Sequence, residues 1–186
     1  MHMKKQTYSE AVPMRIATPI SLTTLVQAAM IAAIYVVLTY LANAFGLANY
    51  AIQVRFSEAL TVLPYFTPAA IPGLFIGCLL SNILTGCALP DILFGSLATL
   101  LGAFGTYTLR RWKWCAPICP ILANALIVPF ILIYGYGLII DGLSILQCFG
   151  YYFLTVGIGE VISCGILGML LLFSLQKYSH AIFKKQ

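Results

Sequence analysis

The sequence predicts an all-α integral membrane protein, a bundle of six transmembrane helices. The chain has 186 residues, of which 61% are hydrophobic and only 8% are charged, and its mean hydropathy is +0.98. Such values lie outside the range of ordinary soluble domains. At about 20 residues a span, this length accommodates about six spans and leaves little for an extramembrane domain. No GxxxxGK[ST] phosphate loop occurs, so any ATP hydrolysis is expected in another subunit.

Six apolar stretches define the predicted spans. The second just reaches across a bilayer and is expected to be short or partly unwound, whereas the sixth is long enough to tilt. Pro64, Pro68 and Pro72 recur every fourth residue, which indicates a tight turn between the second and third spans. The predicted spans are residues 22–45, 50–66, 69–85, 92–109, 120–136 and 146–175.

The whole chain, 1–186, is expected to form a single membrane domain. Its bundle occupies residues 22–175, between a polar N-terminal segment, 1–20, and a polar tail, 176–186. No cleavable signal peptide is evident in the mixed, polar first segment, and residues 1–2 are interpreted as a cloning remnant.

The distribution of positive charge predicts the orientation of the bundle. With six spans, nine of the ten Lys and Arg residues fall on one side, so the positive-inside rule places both termini in the cytoplasm. Arg55 alone remains towards the outer face, which favours a functional role for it. The nine cations are Lys4, Lys5, Arg15, Arg110, Arg111, Lys113, Lys177, Lys184 and Lys185.

Polar residues within the spans are few, and they are the candidate site. A charge at the centre of a membrane helix costs at least about 2.5–3.5 kcal/mol, so such residues are usually functional or paired. All of the candidates are expected to face one cavity that opens to the outside. They are Gln53, Arg55, Glu58, Asn82, Asp91, Asn124, Tyr134 and Glu160.

Each candidate also has a purely structural interpretation. Arg55 and Glu58, three residues apart, are placed to pair with each other. Asn124 is also typical of a hydrogen bond between helices, and Asp91 follows Pro90 where a helix cap is expected. Glu160 has no cation within a helical turn, so it must find a distant partner, stay protonated or bind a ligand.

Small residues and cysteines add further hypotheses. Gly73 and Gly77 indicate a close contact between helices, and four alanines of the first span fit either a contact inside the bundle or a docked partner helix. The alanines are Ala28, Ala29, Ala32 and Ala33. Cys115 and Cys119 lack a second ligand pair, so no metal site or cofactor is expected.

Several sequence runs resemble the QueT family of queuosine-precursor transporters. The longest is IQVRFSEALTVLPYFTPAAIPGLFIGCLLSNILTG, followed by DILFGSLATLL, PILANALIVPFILIYG and VGIGE, which together extend over about Val26 to Leu172. The resemblance implies a six-helix substrate-binding subunit (S component) of an energy-coupling factor (ECF) importer in the bacterial plasma membrane. It also implies docking of the alanine stripe on a transmembrane coupling protein driven by two cytoplasmic ATPases.

The implied substrate is a 7-deazaguanine such as queuine or its aminomethyl precursor. Adjacent N–H donors of a guanine edge suit a carboxylate, and the exocyclic carbonyl suits a donor such as Arg55, Asn82 or Asn124. We expect one of Glu58 and Glu160 to bind the guanine edge and the other to lie near the 7-substituent. The ring requires flat walls, for which Tyr134, Tyr136 and Phe94 are candidates.

Three other classes of protein compete with this interpretation. An intramembrane enzyme requires a nucleophile–base or metal-ligand set at depth, yet His2 and His180 both lie outside the spans. An S component for another vitamin, such as riboflavin or thiamine, has the same composition and differs only in its motifs. A secondary transporter usually carries internal repeats, and none is evident. We therefore expect a transport subunit and not an enzyme.

Overall fold

The computed structural model describes residues 21–46 and 54–179, and every regular element in these ranges is helical. Three of the helices are interrupted or extended by π-helical turns. In chain order the elements are α1 (Leu22–Ala44), a 3₁₀ helix (Phe56–Tyr65), α2 (Ala70–Leu84), a π-helical turn (Asp91–Gly95) leading into α3 (Ser96–Thr108), a 3₁₀ turn (Lys113–Cys115), α4 (Ile118–Phe130) with a π-helical turn (Ile131–Gly135), and α5 (Ile145–Glu160), which continues through a π-helical stretch (Val161–Leu167) into α6 (Gly168–Gln176).

Three helices in the described ranges are long and apolar enough to cross a membrane. They are Leu22–Ala44, Lys113–Gly135 and Ile145–Gln176, while α2 is apolar but shorter. Large apolar side chains also lie on the surface, including Leu22 at 76% exposure and Met30 at 59%. Such a surface suits lipid and not water, so the chain is an all-α membrane protein. The count of six spans and the side on which the termini lie stay predictions.

The predicted second span departs most from a regular membrane helix. Residues 50–53 lie outside the described ranges, and Phe56–Tyr65 is wound as a 3₁₀ helix. Pro64 lies inside this helix and Pro72 lies in the first turn of α2. The predicted proline turn is therefore shorter than expected and consists of residues 66–69. The second span was expected to be short or partly unwound; its described part is a ten-residue 3₁₀ helix, which is wound more tightly than an α-helix and not unwound.

The 3₁₀ helix lies at the centre of the bundle, and every residue from Ser57 to Pro64 is buried. It contacts α1, α3 and α6, and its Leu60 and Leu63 pack with Tyr35 and Leu74 in the main apolar core. This position carries Glu58, which is only 1% exposed, into the interior of the protein.

Small residues bring α1 and α2 into close contact. A Cβ atom added at Gly73 would lie 2.7 Å from the carbonyl oxygen of Ala28, and one at Gly77 would lie 3.0 Å from Cα of Ala32. Ala28 and Ala32 are accordingly buried, which corrects the prediction that they belong to a docking stripe. These two alanines serve the contact inside the bundle, as small residues on facing helices do.

Ala29 and Ala33 remain exposed, about 100° around α1 from Ala28 and Ala32. The docking hypothesis therefore narrows from four alanines to these two.

Candidate functional site

A cavity of about 440 Å³ lies at one end of the bundle, and we call it the end cavity. It is formed where α1 and α2 end, where the 3₁₀ helix and the chain leading to α3 begin, and where α4 ends. Its volume falls within the range of about 300–1,000 Å³ usual for small-molecule sites. The lining residues are Thr39, Ala42, Asn43, Arg55, Asn82, Thr85, Cys87, Asp91, Val128, Ile131, Leu132, Tyr136 and Leu138.

A tight turn after α2 positions one wall of the end cavity. Gly86 has φ +73°, a conformation that glycine adopts without strain. The N–H of Gly86 donates to the carbonyl of Ile83, and that of Cys87 donates to the carbonyl of Asn82, which is the Schellman pattern of a helix end. The chain thereby reverses direction and brings Asp91 back beside the last turn of α2.

Asp91 faces partners from three other elements. Tyr136 donates its hydroxyl to Asp91 Oδ2 at 3.1 Å, and Arg55 Nη2 lies 4.0 Å from the same oxygen. The Asn82 amide donates to the main-chain carbonyl of Asp91 at 3.2 Å. The carboxylate makes no capping hydrogen bond at the helix start, so the expectation of a helix cap is wrong. The carboxylate contacts Tyr136 and Arg55 instead of capping the helix.

Tyr136 joins two sides of the end cavity. Its hydroxyl oxygen accepts a hydrogen bond from the Ala88 N–H at 3.1 Å while its proton is donated to Asp91. Burial raises the pKa of Tyr136 to about 12, and the nearby Asp91 carboxylate acts in the same direction. The phenol therefore remains a hydrogen-bond donor at any physiological pH.

Arg55 is fixed through its main chain, because its N–H donates to Ser163 Oγ at 3.1 Å. Its side chain is 24% exposed, against 8% for that of Asp91. The one ion pair formed between described residues joins Arg55 to Asp91. The predicted Arg55–Glu58 pair does not form, since Glu58 turns towards α1 and α4.

A second polar group, the buried acid cluster, comprises Glu58, Glu160, Asn124, Tyr35 and Cys164. The Tyr35 hydroxyl makes a short hydrogen bond to Glu58 Oε1, and the Asn124 amide donates to Oε2 at 3.4 Å. The Cys164 thiol lies 3.1 Å from Glu160 Oε2 and donates to it. Both acids are thus buried with protein hydrogen bonds already made, as buried polar groups require.

The carboxylates of Glu58 and Glu160 and the thiol of Cys164 also offer three potential metal-ligand atoms within 4.8 Å of one another. Each of these groups is engaged by protein partners. The geometry gives no further sign of a cation, so no metal centre is assigned.

The predicted site residues thus divide between two places. Arg55, Asn82 and Asp91 line the end cavity, whereas Glu58, Asn124 and Glu160 form the buried acid cluster. Gln53 lies outside the described residues.

Tyr134 is 69% exposed and lines a separate apolar groove of about 470 Å³ together with Phe94. Of the three aromatic residues expected as walls, Tyr136 is the one that lines the end cavity.

Sequence reasoning missed Tyr35 and Cys164. Cys164 follows Glu160 by four residues, a spacing that places both on one helix face, so this signal was available. Tyr35 is 23 residues from Glu58, and only tertiary packing brings them together. Its hydroxyl in an apolar span was the available sign that it needs a partner.

Comparison with known families adds one assignment. The family model described as QueT transporter matches residues 25–177. No curated protein and no solved structure matches the chain. The matched region contains all but the first three residues of α1, the helices from there to α6 and both polar groups, and the chain therefore belongs to the QueT transporter family.

Proposed function

We propose that this chain is the substrate-binding membrane subunit of an ECF-type importer, and that it takes up 7-deazaguanine precursors of queuosine across the bacterial plasma membrane. Family membership supports a transport role. The observation that carries the substrate class is the end cavity, which combines a carboxylate, a guanidinium and an amide with apolar walls. A flat, donor-rich base requires that combination.

The composition of the walls favours an aromatic heterocycle of modest size. Val128, Ile131 and Leu132 form an apolar side, while Arg55 and Asp91 supply opposite charges on the polar side. Such sites bind mainly through apolar burial and orient the ligand with a few polar groups. Ser163 fixes the main chain of Arg55 on the polar side, because its hydroxyl oxygen accepts the Arg55 N–H at 3.1 Å.

The importer requires partners, which we propose to be a transmembrane coupling protein and two cytoplasmic ATPases. The exposed Ala29 and Ala33 are the proposed docking point on α1. Small residues permit the close backbone approach that helix pairing in lipid requires.

Mass spectrometry of small molecules that co-purify with the detergent-solubilised protein tests the substrate class. We expect a 7-deazaguanine; a flavin or thiamine in its place would overturn the substrate assignment. Direct binding provides a second measurement, because a ligand at 100 times its Kd stabilises the folded state by about 2.7 kcal/mol.

Two variants of α1 give a matched comparison. Ala42 is 1% exposed and lines the end cavity, so Ala42→Phe places a ring in it. Ala33→Phe adds the same ring to the exposed side of the same helix. We expect Ala42→Phe to lose the ligand and Ala33→Phe to keep it while binding the coupling protein less well. Equal ligand content in both variants, with both folded, would contradict the assignment of the cavity.

A further inference from the structure

Asp91 contains a buried oxygen with no hydrogen-bond partner. The residue is 6% exposed, and within residues 21–46 and 54–179 its Oδ1 is the one buried side-chain nitrogen or oxygen atom without a partner. An unsatisfied buried acceptor is costly, and native proteins seldom retain one without a functional reason. The oxygen belongs to a residue that lines the end cavity, so a ligand in that cavity is a candidate for its missing partner.

The opposing cation is only loosely engaged. Arg55 Nη2 stays 4.0 Å from Asp91 Oδ2, whereas a close charge-assisted hydrogen bond measures about 2.7–2.9 Å. The guanidinium donates no hydrogen bond to any other residue in the described ranges. With respect to the described residues, Arg55 therefore keeps unused donors at the cavity beside a carboxylate with an unused acceptor.

The geometry points to a specific edge for the ligand. We propose that Asp91 and Arg55 are the specificity-determining pair of the end cavity: the Asp91 carboxylate accepts the two adjacent N–H donors of a guanine-type edge, one at each oxygen, and Arg55 donates to the neighbouring exocyclic carbonyl. Among the described residues Oδ1 has no other partner, and Oδ2 uses its second lone pair beside the Tyr136 hydroxyl. This inference rests on the proposed function. Acceptor and donor lie side by side in the protein, as donors and carbonyl do on the base.

The buried acid cluster is not suited to this role. Both oxygens of Glu58 already accept hydrogen bonds, from Tyr35 and Asn124. Glu160 accepts the thiol of Cys164, and neither acid is among the residues that line the end cavity. The proposal therefore assigns the guanine edge to Asp91, in place of the expected Glu58 or Glu160.

Two neighbours hold Asp91 in position. The Asn82 amide donates to its main-chain carbonyl, and Gly95 leaves room for its carboxylate. A Cβ atom at position 95 would lie 2.7 Å from Asp91 Oδ1, which is closer than such atoms approach in practice. Gly95→Ala must therefore displace the carboxylate without changing its charge.

A swap of ligand preference tests the proposal. The purified full chain, with and without Asp91→Asn, is titrated with 7-deazaguanine and with 7-deazaxanthine, in which a second carbonyl replaces the exocyclic amine. We expect the wild type to prefer 7-deazaguanine by about 10- to 100-fold, the size of one hydrogen bond to a charged group. Asp91→Asn should reverse this order, because its amide N–H donates to the new carbonyl. A misfolded protein cannot gain affinity in this way.

Glu160→Gln is the matched control, since it makes the same carboxyl-to-amide change in the buried acid cluster and should leave the preference unchanged. If Asp91→Asn binds neither base, the same titration of Gly95→Ala decides. Loss of its preference for 7-deazaguanine supports the proposal, and an unchanged preference overturns it. Asp91→Asn with an intact preference for 7-deazaguanine also overturns it while the proposed function stands. A wild type that binds no 7-deazaguanine overturns both.

Discussion

Gly77→Ala should destabilise the protein by separating α1 from α2. The new Cβ atom would lie 2.8 Å from Cβ of Tyr35 and 3.0 Å from Cα of Ala32. Neither atom can rotate away, and the first distance is about 0.6 Å short of the 3.4 Å at which ordinary contact begins. Forcing an extra carbon into a packed interior costs about 1–3 kcal/mol. Because Tyr35 also holds Glu58, the displacement should disturb the buried acid cluster as well.

Thermal unfolding in detergent, followed with a thiol-reactive fluorescent dye, measures the effect. Cys78, Cys148 and Cys164 are each 0% exposed, so they react only when the bundle opens. For a chain of this length, a loss of about 1–3 kcal/mol corresponds to a fall in Tm of about 2–12 °C.

Gly157→Ala provides the control, because its added Cβ atom would meet one atom, Cβ of Ala125, at 3.9 Å. This exchange in α5 should be neutral or should stabilise the helix by up to about 1 kcal/mol. If Gly77→Ala and Gly157→Ala unfold at the same temperature, the argument from close helix packing is wrong.

Two tyrosine variants extend these tests. Tyr35→Phe removes a hydrogen-bond donor from buried Glu58 and should lower the free energy of unfolding by about 1–3 kcal/mol. Tyr40→Phe is the control, because the Tyr40 hydroxyl donates to the Leu84 carbonyl at an exposed site, and its loss should be smaller. Equal losses in the two variants would refute the importance of the buried contact. Tyr136→Phe should weaken binding of 7-deazaguanine by the same factor at about pH 6 and about pH 9, because a pKa of about 12 keeps the phenol protonated throughout. An effect that disappears towards about pH 9 would show that the hydroxyl titrates earlier.

Much of the helical framework was predictable because its local signals lie in the sequence. The predicted first span, 22–45, agrees with Leu22–Ala44, since Ser21 caps its start and Gly46, at φ 72°, follows its end. The last long helix agrees similarly, with Ser144 and Gln147 forming a capping box at its beginning.

The arrangement of the site was less predictable because partners are chosen by tertiary packing. A Pro-Asp pair before an apolar run resembles a cap, and nothing local reveals that the turn at Gly86 carries Asp91 to Arg55 and Tyr136. Likewise, the spacing of Arg55 and Glu58 suggests an ion pair only if both side chains face the same way. Once Glu58 is enclosed by Tyr35 and Asn124, Arg55 must seek its counter-ion elsewhere.

The winding of Phe56–Tyr65 sets both a length and an alignment. Ten residues at about 2.0 Å each extend about 20 Å, against about 15 Å for an α-helix, so the 3₁₀ winding makes this segment about a third longer than the same residues would be as an α-helix. Three residues per turn also stack Glu58 and Thr61 in a single row. Cys164 meets this row twice, at Thr61 Oγ1 and at the carbonyl of Glu58. Rewinding the segment as an α-helix would shorten it and turn Thr61 away from that thiol. The length of the segment and its contacts with Cys164 therefore both depend on the 3₁₀ winding.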